Sequence, residues 1–290
     1  MDLYLLRYYL AVVETGSFTR AADRCFVSQP TLSAGIKKLE QQLGSALFER
    51  TNRRVFLTDA GNRFLPHAKA IMHETNRAQE ALSQTDRPVL RLGFLSTLDS
   101  GLIKRLVLEL KRKVPDVIVD VVEGSEQEIY NRLTDRSIDV AVLLDRGLYA
   151  EQTIILTEPY VFILQKGHAL EGKKTLNLED LADEPMVSRS RCELLSETSR
   201  YFTDQNRRPR LVYRTSNDAR AVDMVEAGLG GTVVPKSMVT KGVGVYKLKG
   251  FKHTRTVVSV TVGQVRSDPL AKLLLAWNDV AAKYALDCGG

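Results

Sequence analysis

The sequence predicts a multidomain α+β and α/β chain. A small helical N-terminal domain with a hairpin (residues 1–58) is followed by one long helix and a hinge (59–87), then by a two-lobed α/β domain (88–290). Three observations predict this. Apolar residues recur at helical spacing through residues 1–43 and again through 59–83, with a single hairpin-like run between. The polar stretch Gln84-Thr85-Asp86-Arg87-Pro88 then interrupts the apolar pattern, as a domain boundary does. From Val89 onward strand-like runs alternate with helical ones, the signature of a parallel sheet covered by helices. One lobe is expected over about 88–160 and 264–290, the other over about 161–263.

The opening run, Met1 to Gly16, is apolar, but it carries Asp2 and Arg7 and has no small-residue cleavage motif. It reads as a helix with Leu6, Tyr9, Leu10 and Val13 on one face. Ser17 N-caps a second helix to about Cys25, with Phe18, Ala21, Ala22 and Cys25 apolar. After the turn Phe26-Val27-Ser28, Ser28 caps a third helix over about 29–43. Pro30 lies in its first turn, where a missing N–H costs nothing, and Gly44 stands where the exit needs a positive φ. Leu32, Ile36, Leu39 and Leu43 face inward. The free face carries Gln29, Thr31, Ser33, Lys37 and Lys38, whose amide, methyl, hydroxyl and ammonium groups suit base edges and phosphates. Any solvated amphipathic helix offers such a face; the helix–turn–helix spacing makes it a DNA reader, with Ser17, Thr19, Ser28 and Pro30 in the expected contact set.

Residues 47–57 read as a short hairpin turning near Asn52, the wing of a winged helix. Arg50, Arg53 and Arg54 are placed there for phosphates or a minor groove, against the plainer reading of a solvated basic turn. Thr58 caps a helix over about 59–83 whose stripe is Phe64, Leu65, Ala68, Ile71, Met72, Thr75, Ala78 and Leu82, with a bend expected at Pro66. At 1.5 Å per residue it spans roughly 37 Å. So small a domain cannot cover that stripe, and a second copy of the chain is expected to do so, setting two reading helices on one face of a two-fold site.

The order Gly16-Ser17-Phe18-Thr19, Ala21-Ala22, Val27-Ser28-Gln29-Pro30, Leu32-Ser33, Ile36-Lys37, Leu39-Glu40, Leu43-Gly44, Leu47-Phe48-Glu49-Arg50, Arg53, Val55, Leu57-Thr58 and Ala60-Gly61 resembles the N-terminal domain of LysR-type transcriptional regulators. Cys25 stands where that family usually carries leucine and reads as a small core hydrophobe. More weakly, Leu92-Gly93, Pro115, Glu123-Gly124, Ile138 to Ala141, Asp180-Leu181-Ala182, Glu184-Pro185, Val225 to Gly231 and Val234-Pro235 resemble the family's effector-binding region, a fold similar to periplasmic binding proteins. Arg136 stands where the family often has glycine. The resemblance implies a homodimer or homotetramer that bends promoter DNA, relaxes the bend when effector binds, and meets RNA polymerase as activator or repressor.

In the C-terminal domain, strands are expected over 89–95, 117–123, 138–144, 185–189, 210–215, 230–235 and 257–262. Helices are expected over 101–114, 125–135, 190–206, 217–228 and 268–285, the last holding Trp277 as core packing. Candidate effector contacts lie at the first turns of helices after strands, where free N–H groups favour an anion. They are Ser96, Thr97, Ser100 and Ser125, then Ser188, Ser190, Arg191, Ser216 and Asn217. Each hydroxyl alone would serve as a helix cap. Their convergence with one arginine suits a small organic acid in a cleft between the lobes. A second reading makes Cys192 a redox sensor, its pKa lowered by Arg189 and Arg191, as cysteines in this region act in some members of the family. No second cysteine lies near it in sequence to resolve an oxidised thiol.

The net charge of +6 favours a polyanion partner, and eight Lys/Arg against four Asp/Glu in residues 15–65 concentrate most of that excess there. No apolar run reaches the ~18 residues of a membrane span, and three dispersed cysteines at 25, 192 and 288 fit a reducing cytoplasm. Nucleotide-binding glycine motifs, a nucleophile elbow and paired histidine ligands are all missing. No catalytic residue, metal or cofactor is therefore expected. A DNA-organising protein without a ligand is the remaining competitor, and a two-lobed domain would be idle in it.

Overall fold

Helices α1 (Leu3–Thr15), α2 (Phe18–Arg24) and α3 (Gln29–Leu43) close one core around Leu5, Leu6, Tyr9, Ala21, Leu32, Ile36 and Leu39 in the computed structural model. The structure describes residues 1–50, 55–82, 87–149, 151–261 and 268–288. Local chemistry sets the helix ends as expected. Ser17 and Ser28 accept from the N–H groups of Arg20 and Thr31, and Gly16 and Gly44 leave their helices at φ 61° and 67°. Two faces differ from expectation. In α1 the buried side is Leu5, Leu6, Tyr9, Ala11 and Val12, with Leu10 and Val13 half-buried at its edge. Leu43 ends α3 beyond that contact and stays exposed, while Gly35 is buried where the Tyr8 ring leaves no room for a Cβ.

Strand β1 (Phe48–Arg50) pairs antiparallel with β2 (Val55–Leu57). The Glu40 carboxylate, reaching from α3, accepts from the N–H groups of Leu47 (2.8 Å) and Phe48 (3.3 Å) and so seats the hairpin on the helix bundle. The expected turn at Asn52, with Arg53 and Arg54, lies outside the described residues, as does the Arg50 side chain. Helix α4 (Asp59–Leu82) begins at Thr58, whose hydroxyl accepts from Gly61 N–H and donates to Ala46 C=O. The helix runs unbroken through Pro66. Ala68 is buried, and Phe64, Leu65 and Met72 pack on the first core, whereas Ile71 and Ala78 face outward in the single chain. Residues 84–86 of the expected boundary lie outside the described residues.

The rest alternates as predicted at first: β3 (Val89–Leu95), α5 (Ser100–Lys113), β4 (Ile118–Gly124), α6 (Glu126–Thr134) and β5 (Val140–Leu144). Then comes β6 (Gln152–Gln165), a long strand that the sequence pattern does not mark, and β7 (Thr175–Leu176). They are followed by β8 (Met186–Arg189), α7 (Leu195–Thr203), β9 (Leu211–Thr215), α8 (Asp218–Glu226), β10 (Thr232–Pro235), β11 (Val243–Leu248), β12 (Thr254–Thr261) and α9 (Asp268–Cys288). Strand β11 is also absent from the expected set, and α7 starts five residues later than expected.

Contacts divide the chain into two units. One comprises residues 1–93, 116–141 and 261–270, the other 94–115, 142–260 and 271–290. In the first, β4 and β3 lie side by side with the start of β5. In the second, the order is β5-β12-β6-β11-β7, with β10 also on β6. Strands β10, β11 and β12 all run antiparallel to β6, so the sheet is mixed rather than parallel throughout. Strands β8 and β9 form a separate parallel pair. Trp277 of α9 is fully buried, donating to Ser259 Oγ at 2.7 Å, as core packing requires. Arg136, in the turn after α6, adopts φ 59°, the left-handed geometry that glycine would supply, and Ser137 N–H closes the turn on Arg132 C=O.

Candidate functional site

The exposed face of α3 opens at its N-terminus. Gln29, Pro30, Thr31 and Lys37 are exposed, Ser33 is half-buried, and Thr19 of α2 is exposed beside them in sequence order. The Ser28 and Thr31 hydroxyls are 2.7 Å apart, so the cap also orients the first turn of the reading face. Lys38, exposed on the same helix, already has partners within the chain. Its ammonium is bound to the Asp2 carboxylate (2.9 Å) and the Tyr4 hydroxyl (3.3 Å), 5.7 Å from the centre of the Tyr4 ring. The hydrogen bond between Lys38 and Asp2 raises the pKa of the lysine and lowers that of the aspartate. This lysine ties α3 to the start of α1.

A second constellation lies in the larger unit, and its charged members are not among the residues expected from sequence. Arg255 of β12 is buried, with only 3% of its side chain exposed. Its Nε donates to Glu158 Oε1 at 2.9 Å, and its Nη1 donates to Thr97 C=O (3.1 Å) and Glu193 Oε1 (2.7 Å). The Tyr160 hydroxyl donates to the same Glu193 oxygen at 2.5 Å, while Ser237 binds Glu158 through N–H and Oγ. Burial works to raise the Glu193 pKa, but Arg255 and the Tyr160 hydrogen bond outweigh it, and the carboxyl titrates below its ordinary value. Burial and the neighbouring carboxylate push the Tyr160 phenol well above its ordinary range. Three buried atoms of this cluster have no hydrogen-bond partner among the described residues: Thr97 Oγ1, Glu193 Oε2 and Arg255 Nη2.

Two family models cover this architecture. "Bacterial regulatory helix-turn-helix protein, lysR family" matches residues 3–62, and "LysR substrate binding domain" matches 83–279. The chain belongs to the LysR family of transcriptional regulators. Among its LysR relatives, the transcriptional regulator AlsR of Bacillus subtilis is 31% identical, over 82% of this chain and 81% of that protein. The Hca operon transcriptional activator HcaR of Escherichia coli is 28% identical over 99% and 95%. Among solved structures, a full-length OxyR variant from Pseudomonas aeruginosa aligns with a TM-score of 0.64 at 25% identity, covering 97% of this chain and 94% of that one. The LysR-family regulator CbnR aligns at 0.66 with 21% identity, over 97% and 99%, a likeness of fold.

Within this LysR fold the residues named from sequence fall into three groups. Ser125 caps α6 in a reciprocal capping box with Glu128, and Asn217 caps α8, so both side chains already serve helix ends. Ser100 is the first residue of α5, whose cap is Asp99 instead. Ser190, Arg191 and Ser216 are exposed and Ser96 is half-buried. Thr97 alone brings a buried, unpartnered hydroxyl to a charged cluster. The buried arginine next to it is Arg255, not Arg191. No spacing signal links positions 97, 158, 193 and 255; only the fold brings them together.

Cys192 is half-buried, and its environment runs against the expectation of a lowered pKa. Burial pushes the thiol up, and this prevails over the downward pull of Arg189. The Arg189 charge is already committed to Asp218 by two hydrogen bonds, Nε to Oδ1 at 2.8 Å and Nη2 to Oδ2 at 2.6 Å. Among the described residues no group of three or more His, Cys, Asp or Glu is arranged for a metal, and no helix is long and apolar enough to cross a membrane.

Proposed function

We propose that this LysR-family regulator works in the cytoplasm as a homodimer or homotetramer. It holds a two-fold promoter site in double-stranded DNA with the N-terminal turn of α3 and alters transcription by RNA polymerase when a small-molecule effector binds. The observation that carries the effector reading is the trio Thr97 Oγ1, Glu193 Oε2 and Arg255 Nη2, buried yet unpaired among the described residues. A buried polar group left without a partner costs on the order of 1–3 kcal/mol, so three in one cluster favour a ligand that completes them. Their chemistry narrows the organic acid. Arg255 Nη2 can only donate, and the ionised Glu193 can only accept, so the effector presents both an acceptor and a donor. A hydroxy acid or an amino acid meets that demand; a plain carboxylate meets half of it. The effector acts by binding one assembly state better than the other.

A thermal-shift screen of the full chain tests this. Hydroxy or amino acids are expected to raise Tm with concentration, while the matching plain carboxylates do not. Glu193→Gln is expected to weaken that effector at least tenfold. Equal stabilisation by plain carboxylates, or an unchanged response in Glu193→Gln, refutes the assignment. On the DNA side, Gln29→Ala is expected to cost roughly 1–3 kcal/mol of specific affinity, with unchanged binding to unrelated DNA. Gel-shift titration on both sequences reads the difference, and an equal loss on both would move Gln29 from base to backbone contact.

A further inference from the structure

Helix α7 leaves a space beneath it. The α7 residues that line it are Leu195, Thr198, Ser199, Phe202 and Thr203, of which Phe202 is buried, Thr198 half-buried and the other three exposed. Three of the five are hydroxyl residues. They border a cavity of about 240 Å³, open to solvent on one side, between α7, the 207–211 segment and the ends of β8 and β10. Its apolar lining comes from Met186, Val187, Leu195, Phe202, Leu211 and Val233.

The polar groups of this chamber are unequal. Thr203 satisfies its hydroxyl on the Ser199 carbonyl (3.1 Å), the usual resort of a helical threonine. Thr198 does not: its Oγ1 is buried with no partner among the described residues, and the residue lines the cavity. Arg189 contributes no free charge, since Asp218 neutralises it and its Nη1 donates to Val233 C=O (3.1 Å) and to Cys192 Sγ (3.5 Å). Two cations with no ion pair among the described residues are at the edge. Arg207 and Arg208 line the cavity from an exposed segment.

We propose that this chamber is a second binding site, separate from the Thr97–Glu193–Arg255 cluster, for a monocarboxylate with a compact apolar body. Size, lining and charge define the class. An engineered cavity of about 150 Å³ takes benzene, so this larger, open one has room for a single ring or a body of similar size. The interior has no unpaired charge and so holds the apolar part. The Thr198 hydroxyl supplies one hydrogen bond, and the arginine pair meets the carboxylate. The Arg189–Leu195 turn joins the two sites: Cys192 and Leu195 line the chamber, and Glu193 between them belongs to the charged cluster. An occupant of the chamber therefore bears on the residue that receives the other ligand, and each ligand alters the affinity of the other by the same factor.

Methyl NMR of the full chain with phenylacetate tests the proposal, with phenylacetamide as the uncharged isostere. Saturable shifts are expected at Val187, Leu195, Leu211 and Val233, with at least tenfold weaker binding of the amide. Thr198→Val, which keeps shape and loses the hydroxyl, is expected to weaken phenylacetate severalfold. A combined Arg207→Ala and Arg208→Ala variant, altered only in exposed residues, is expected to erase the preference for acid over amide. Glu193→Gln is expected to retain the methyl shifts, so failure of the effector assignment leaves this one standing. Shifts clustered away from those four residues, or equal binding of acid and amide, would overturn it.

Discussion

Asp218→Ala is expected to destabilise the larger unit by about 3–5 kcal/mol, the usual result of removing one partner from a buried ion pair. The guanidinium of Arg189 is 1% exposed and the Asp218 carboxylate 9%, and their two hydrogen bonds run in parallel. Truncating Asp218 leaves a buried cation whose other contacts, the Val233 carbonyl and the Cys192 sulfur, are neutral. In the intact pair the Asp218 hydrogen bond and nearby negative groups raise the Arg189 pKa against burial, and without Asp218 the guanidinium is still too basic to escape by losing its proton. The readout is built into the chain. Trp277 is the single tryptophan and lies in the same unit, so its fluorescence in a urea titration follows the transition of interest. Replacing both partners, Arg189→Met with Asp218→Leu, is expected to recover most of the loss, because the uncompensated charge goes with the arginine. A loss below about 1 kcal/mol in the single variant would place the pair in the weak class of solvent-exposed bridges.

The same pair shows where the fold is legible in the sequence and where it is not. Features set by neighbours a few residues apart are readable: the caps Ser17, Ser28 and Thr58, the glycine exit at Gly44, and the strand over Val89–Leu95. Each needs only local chemistry. Strand β6 escapes a reading by pattern because Glu158 and Pro159 interrupt its apolar run, and both fit only in the fold. Glu158 is buried because Arg255, ninety-seven positions later, reaches its carboxylate. Helix α7 is expected five residues too early because residues 190–194 have no breaker. Their backbone is instead taken up by Ser190 N–H on Thr215 C=O and Cys192 N–H on Arg189 C=O. The candidate site divides the same way. Serines at helix starts can be named from sequence, and several prove to be caps, whereas the buried Arg255–Glu193 pair is a product of tertiary folding alone.

Gly61→Ala is expected to cost about 1–3 kcal/mol in the N-terminal domain and to weaken DNA binding with it. An added Cβ would lie 2.3 Å from the Leu47 carbonyl oxygen and 2.8 Å from Leu57 Cδ2, and the first of these is backbone that cannot rotate away. Three elements meet at this residue. Its N–H completes the Thr58 cap of α4, its C=O accepts from the Tyr9 hydroxyl of α1 at 2.8 Å, and the Leu47 carbonyl it abuts also accepts from Thr58 N–H at 3.0 Å. Relief of the clash must move α4 or the hairpin. Because Glu40 of α3 holds the hairpin through Leu47 and Phe48, movement there is passed to the helix that reads DNA. Tyr9→Phe supplies the control: it removes one hydrogen bond to Gly61 without adding volume, and its expected cost is about 1 kcal/mol. Circular-dichroism melts and gel-shift titration of both variants separate the two effects. If Gly61→Ala costs no more than Tyr9→Phe, the approach of α4 to the hairpin is looser than the structure has it. If it costs more and DNA affinity falls with it, the seating of the hairpin against α4, and not only the face of α3, sets how well the domain holds its site.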